Sequence, residues 1–281
     1  MKDYFCGWYL KCQNEFQTLA LIPAFHITNN AKSCSLQVIT RDGSWCVQYP
    51  SSQFCRDNDS ITMGENHFGK WGCRLNVNTE SLKIRGELCF GPFSTIAYDI
   101  MGPFRYIPFL ECRHSVYSMQ HRVDGAVSIN GEEFLFEGGV GYLEGDRGYS
   151  FPREYLWGQC SFPEGSLMLS VAEIPLCGIY FTGVIGLIRH RGKEYRLATY
   201  LGARAVRIRE GGAVIRQGNL TFTIRRLEDK GRPLAAPVAG EMKRTIREST
   251  ACRCFFRLQE KGRIIFEFIS PEASFEYEYS R

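Results

Sequence analysis

ECRHSVYSMQHRVDGAVSINGEEFLFEGGVGYLEGDRGYSFPREYLWGQC, residues Glu111–Cys160, is the stretch whose reading decides the fold. At its centre, AVSINGEEFLF has two alternating apolar–polar runs that meet at Asn130-Gly131. That pair supplies both positive-φ positions of a type I′ turn, so a β-hairpin is expected. Beyond it, GYLEGDRGYSFPREYLWGQC carries glycines, a proline and charges that are expected to interrupt the strand. Glu144, Asp146, Arg147, Arg153 and Glu154 are interleaved there with Tyr142, Tyr149, Phe151, Tyr155 and Trp157. Apolar burial does not require so many charges among aromatic rings, so the function is expected in this stretch.

Outward from the hairpin the same texture continues. Short alternating runs such as FCGWYLKCQ, TLALIPAFHI, LKIRGELCF and ACRCFFRLQEKGRIIFEFI are separated by turn dipeptides, and helix signals are nearly absent. The expected fold class is all-β and antiparallel. The chain also resembles itself. GWYLKCQNEFQTLALIPAF has a counterpart in LWGQCSFPEGSLMLSVAEIP, and SLQVITRDGSWCVQYP in GLIRHRGKEYRLATY; Trp8 then matches Trp157, and Gly43 matches Gly192, at one common offset. LKIRGELCF parallels LTFTIRRLE, and the central hairpin parallels RLQEKGRIIFEFISPEASFEYE. Two copies of a meander of about eight strands imply two tandem β-barrels or curved sandwiches from an internal duplication. The boundary is expected near Ser150–Glu154, giving halves 1–152 and 153–281. Pro50–Ser60 and Leu227–Gly240 read as loops, and Gly211-Gly212 as a turn.

Composition excludes several function classes. The 281 residues carry a net charge of only +4, and the basic residues alternate with apolar ones in VRIREGGAVIRQGNLTFTIRR, as on a solvated sheet face; no nucleic acid partner is expected. The 14% aromatic content suits strands and a roomy apolar pocket. Twelve scattered cysteines form no C-x-x-C pair and no zinc spacing, so they read as reduced thiols of a cytoplasmic protein. Cys252 and Cys254 fall on one strand face. The apolar run IPLCGIYFTGVIGLI is punctuated and too short to span a bilayer, so no stable membrane insertion is expected, only peripheral access to membranes for substrate. Nucleophile elbows, phosphate loops and metal motifs are absent, and the glycine-rich GGVGYLEG precedes no helix.

The charged stretch resembles the signature Y-x-E-x-x-x-G-x-x-F-P-x-x-x-x-W-x-Q-C of the tocopherol cyclase family, with matches at Tyr142, Glu144, Gly148, Phe151, Pro152, Trp157, Gln159 and Cys160. It departs from the plant enzymes at Gly145-Asp146-Arg147. The resemblance implies two lipocalin-like halves, a cofactor-free reaction, and a prenylated phenol or related isoprenoid as substrate. The expected reaction is cyclisation: an acid protonates an alkene, aromatic faces shelter the cation, and the phenol oxygen attacks it. The alternative is a non-catalytic carrier of an apolar isoprenoid or lipid.

Glu144, inside the motif, is the first candidate for the acid, with burial expected to keep it protonated; pairing with Arg147 or Arg153 is the structural alternative. Asp146, in Gly-Asp-Arg-Gly, reads more readily as a turn residue. His114 and His121 are further candidates; seven residues apart, they face opposite sides of a regular strand and do not share a metal. Glu111, expected on the strand LECRH, is another candidate acid, with Arg113 as its neighbour on the same face. Trp8, Tyr142, Tyr149 and Trp157 are expected to wall the substrate, with Arg153 and Gln159 as polar contacts, Gln159 on the face of Trp157.

Overall fold

Alternation of apolar and polar residues gives each strand one face to bury, and the strands pair accordingly. The structure, a computed structural model, describes residues 3–57, 59–176, 178–228, 231–238 and 241–280. No α-helix occurs among them. The chain divides into two compact units, residues 1–97, 114–150 and 237–243, and residues 98–113, 151–236 and 244–281.

In the first unit the strands are β1 (Tyr4–Gln13), β2 (Thr18–Thr28), β3 (Ala31–Thr40), β4 (Ser44–Pro50), β5 (Phe54–Arg56), β6 (Ser60–Met63), β7 (Asn66–Gly69), β8 (Gly72–Asn78), β9 (Lys83–Phe90), β10 (Cys112–Ile129) and β11 (Glu132–Gly148). They form one sheet in the order β4-β3-β2-β1-β11-β10-β9-β8-β7-β6-β5. The sheet curls on itself: Phe25 of β2 stacks on Phe54 of β5 at 4.9 Å, and Asn66 of β7 donates to the Tyr49 hydroxyl of β4 at 2.9 Å. In β8, Cys73, Leu75 and Val77 are buried while Arg74, Asn76 and Asn78 are exposed. The enclosed core includes Trp8, Leu10, Leu21, Phe68, Phe136 and Leu143.

The second unit holds β12 (Tyr155–Phe162), β13 (Gly165–Leu176), β14 (Ile179–His190), β15 (Lys193–Ala198), β16 (Arg204–Arg209), β17 (Gly212–Gln217), β18 (Leu220–Arg226), β19 (Arg232–Val238), β20 (Glu241–Glu260) and β21 (Arg263–Tyr277). Their order is β15-β14-β13-β12-β21-β20-β18-β17-β16, with β19 paired to β20. Leu156, Cys160, Leu169, Ile215, Phe222 and Phe275 lie in its core, and Arg207, Arg209, Arg216 and Arg225 are exposed. In both sheets the unit's first strand lies between its second strand and its last long one, as a duplication requires. The hairpin tips match as well: Asn130-Gly131 has φ of 50° and 89°, and Lys261-Gly262 has 51° and 79°. The protein is an all-β molecule of two lipocalin-like antiparallel halves.

Several local expectations are corrected. The glycines of GYLEGDRG do not break the strand: β11 runs unbroken through Gly148, because extended glycines keep the pairing of β1 with β11 in register from Gln13↔Val140 to Phe5↔Gly148. Asp146 is therefore a strand residue, not a turn residue. Within Pro50–Ser60, Ser51–Gln53 forms a 3-10 turn and Phe54–Arg56 pairs with β6. Within Leu227–Gly240, Arg232–Val238 is a strand, while residues 229, 230, 239 and 240 lie outside the described residues. The β16–β17 turn is Glu210-Gly211, and Gly212 already belongs to β17.

Candidate functional site

On β11 alternate residues face opposite sides of the sheet. Leu143 opposes Leu10 and Gly145 opposes Trp8, and these face the enclosed core. Tyr142, Glu144 and Asp146 therefore project from the other face, with Lys11, Tyr9 and Gly7 as their cross-strand partners. On β10, Tyr117 packs edge-on against Trp8 at 5.9 Å, which puts His114, three residues earlier, on the face of Glu144. Tyr9, Lys11, His114, Tyr142 and Glu144 are all buried.

His114, Tyr142, Glu144 and Asp146 form one cluster of close polar contacts. His114 Nδ1 lies 2.9 Å from Asp146 Oδ1, and His114 Nε2 lies 3.1 Å from Glu144 Oε2. The second contact has ion-pair distance but not hydrogen-bond alignment. The Tyr142 hydroxyl donates to Glu144 Oε2 at 2.5 Å. Burial alone would drive the His114 proton off, but Glu144 and Asp146 outweigh it and hold the imidazole pKa well above its usual value. Burial, then the Glu144 charge, pushes the Tyr142 phenol well above its own. His114 thus lies between the two acidic side chains, and Glu144 also accepts from the Tyr142 phenol. The group whose surroundings favour holding a proton is His114.

The donor atoms of His114, Glu144 and Asp146 lie within 4.8 Å of one another. One imidazole nitrogen and two carboxylate oxygens also make a ligand set that a divalent cation accepts. Here the direct His114–Asp146 bond and the Tyr142–Glu144 bond occupy the groups a cation would use.

The remaining candidates are distributed elsewhere. His121 faces away from His114, as its spacing predicts; it lies between Phe90 and Phe93 at 4.7 and 4.8 Å, with Nδ1 3.0 Å from Ser118 Oγ. Burial lowers its pKa to about 4. Trp8 points into the first unit's core and is separated by the sheet from Glu144, so it does not wall this cluster. Tyr149 is 40% exposed just past β11, and Arg153 is exposed, its carbonyl accepting from Arg244. Neither charged partner expected for Glu144 is its partner here; His114 is. Glu111 lies just ahead of β10 rather than on it, in the second unit's part of the chain, and Arg113 bonds to the Ile107 carbonyl.

Trp157 and Gln159 share the face of β12 opposite the core-facing Leu156 and Cys160, and Gln159 donates to Ser161 at 3.2 Å. On the same face the Tyr155 hydroxyl donates to Glu276 at 2.6 Å. Glu276 opposes Trp157 on β12 and Glu248 on β20. The second unit thus has a buried tyrosine–glutamate pair of its own.

Tyr9 and Lys11 were missed by the sequence reading. Their signal is parity: they alternate with Trp8, Leu10 and Cys12, which face the core. Lys11 is only 1% exposed, a burial that its local sequence does not announce.

No family model matches the chain, and no curated protein matches it. Solved structures do. An AttH protein from Nitrosomonas europaea superposes with a TM-score of 0.57 at 10% identity, covering 99% of this chain and 93% of that one. Kievitone hydratase from Nectria haematococca gives 0.53 at 11% identity, with coverages of 98% and 89%. CghA gives 0.63 at 9% identity, with coverages of 99% and 89%. At such identities the likeness establishes a shared fold across nearly the whole chain.

Proposed function

We propose that this protein is a cofactor-independent acid catalyst that protonates an alkene of a prenylated phenol or related isoprenoid. The observation that carries the reading is the buried His114 imidazole held between Glu144 and Asp146, with Tyr142 bonded to Glu144. The fold shared with a kievitone hydratase supports it, as does the resemblance of the Tyr142–Cys160 stretch to tocopherol cyclases. In the proposed reaction the cluster gives a proton to the alkene and leaves a tertiary cation. The cation is captured by the substrate's own phenol oxygen or by water, and the proton released on capture returns to the cluster. Acid and base are thus the same group at different moments. Asp146 fixes the imidazole orientation through Nδ1, and the Tyr9 and Tyr142 rings on the same face supply negative π surface to the cation.

The test is incubation with a panel of prenyl and phytyl hydroquinones, with chromatography and mass detection. Cyclisation gives a product of unchanged mass and shifted retention; hydration adds one water. Either product, lost in His114→Gln and Glu144→Gln and retained in a chelator, supports the proposal. A product made equally by both variants would sink the assigned site. Activity abolished by the chelator and restored only by a divalent cation would move the reading to a metal centre on the same three side chains.

A further inference from the structure

The two faces of β11 do different things. One step beyond the Trp8↔Gly145 pair, on the core-facing side, Cys6 opposes Arg147 on β1–β11 and Phe25 on β1–β2. Phe25 stacks on Phe54, and two residues on from Phe54, on the same face of β5, stands Arg56, opposite the core residue Ile61. The interacting neighbours of Arg56 are Cys6, Tyr117 and Tyr4, and Tyr4 is also within the field of Arg147. One end of the first unit's curled sheet is therefore lined by half-buried aromatic rings and two arginines.

Two features set this end apart from ordinary core. Neither Arg56 nor Arg147 pairs with a carboxylate among the described residues, although arginines elsewhere in the chain do, as Arg122 does with Asp124 and Arg257 with Glu267. Below them Trp8, 4% exposed, has an indole N–H with no hydrogen-bond partner among the described residues. A buried donor without an acceptor costs free energy, and a guanidinium with no carboxylate partner, beside aromatic rings, invites an anion. Gly145 is the neighbour that admits this arrangement: a Cβ there would come within 3.0 Å of both the Trp8 and Tyr117 rings.

We infer that this end of the first unit is a binding site for an aromatic carboxylate, its ring inserted among Phe25, Phe54 and Tyr117 and its carboxylate taken by Arg56 and Arg147. The geometry rests on the opposite sheet face from His114, so the inference stands or falls independently of the proposed catalysis. The fit is to a flat anion: the rings offer stacking surface, and the guanidinium groups offer planar, bidentate donors at the rim.

The experiment is calorimetric titration of the full chain with naphthoate and, in parallel, with its neutral amide. Each of Arg56→Gln and Arg147→Gln, checked for an unchanged circular dichroism spectrum, is expected to weaken naphthoate binding about tenfold, the loss of one charge-assisted contact. The amide is expected to bind more weakly than naphthoate and to ignore both changes. The Trp8 indole proton resonance, assigned by its absence in Trp8→Phe, is expected to shift with naphthoate. His114→Gln is expected to leave binding intact. Equal binding of acid and amide, arginine variants that bind like the parent, an unmoved Trp8 resonance, or binding lost in His114→Gln would each overturn the inference. So would the absence of naphthoate binding.

Discussion

Replacing His121 by Gln tests the electrostatic description of the first unit at a site where the structure gives a magnitude. His121 is 4% exposed, its Nε2 has no hydrogen-bond partner among the described residues, and the phenylalanine rings beside it offer no counter-charge. Burial lowers its folded pKa to about 4, whereas the unfolded chain binds a proton at about 6.5. Between those values the unfolded state carries the extra proton, so stability is lost as pH falls from about 6.5 towards about 4 and levels off below. Integrated over that window, the loss is about 3 kcal/mol for this one histidine. His26 is also lowered to about 4 by burial and adds a similar loss. Urea unfolding at pH 7 and near pH 4, compared between the parent and His121→Gln, isolates the contribution because carboxylate effects cancel in the difference. The variant is expected to be less stable at pH 7, from lost packing, yet to lose about 3 kcal/mol less on acidification. An acid-dependent loss identical in both proteins would refute the assignment of His121 as a neutral, desolvated ring.

Three further outcomes follow from the site and its scaffold. His114 has the opposite sign: its raised folded pKa gives stability that is fully present below about 6.5 and lost as pH rises through the folded value, so His114→Gln should remove an alkaline decline seen in parent unfolding curves. Tyr142→Phe deletes a hydrogen bond to a buried carboxylate and should cost about 1.5–3 kcal/mol in the same assay. Gly165→Ala would place a Cβ 1.8 Å from the Arg189 carbonyl oxygen, so β13 must move off β14; a loss of at least about 1–3 kcal/mol in thermal or urea unfolding is expected.

The sequence by itself determined the strand content, the hairpin at Asn130-Gly131, the solvent-facing arginines of β16–β18 and the repeated strand order. Each is written in period-two alternation or in a turn dipeptide, signals that need no distant partner. It also narrowed the charged cluster to one stretch of β11, through the odd placing of Glu144 and Asp146 among aromatic residues. It failed where local chemistry and tertiary pairing disagree. Gly-Asp-Arg-Gly looks like a turn, but pairing with β1 holds it extended, since every residue from Val140 to Gly148 has a cross-strand partner. Trp8 and Glu144 look like neighbours in a common pocket, yet a one-residue parity difference puts them on opposite faces. Only the tertiary structure brings His114, 32 positions away in the chain, to Asp146, and buries Lys11 and Tyr9 beside Tyr142. Which charges meet is fixed by strand register, and register is set by the whole sheet.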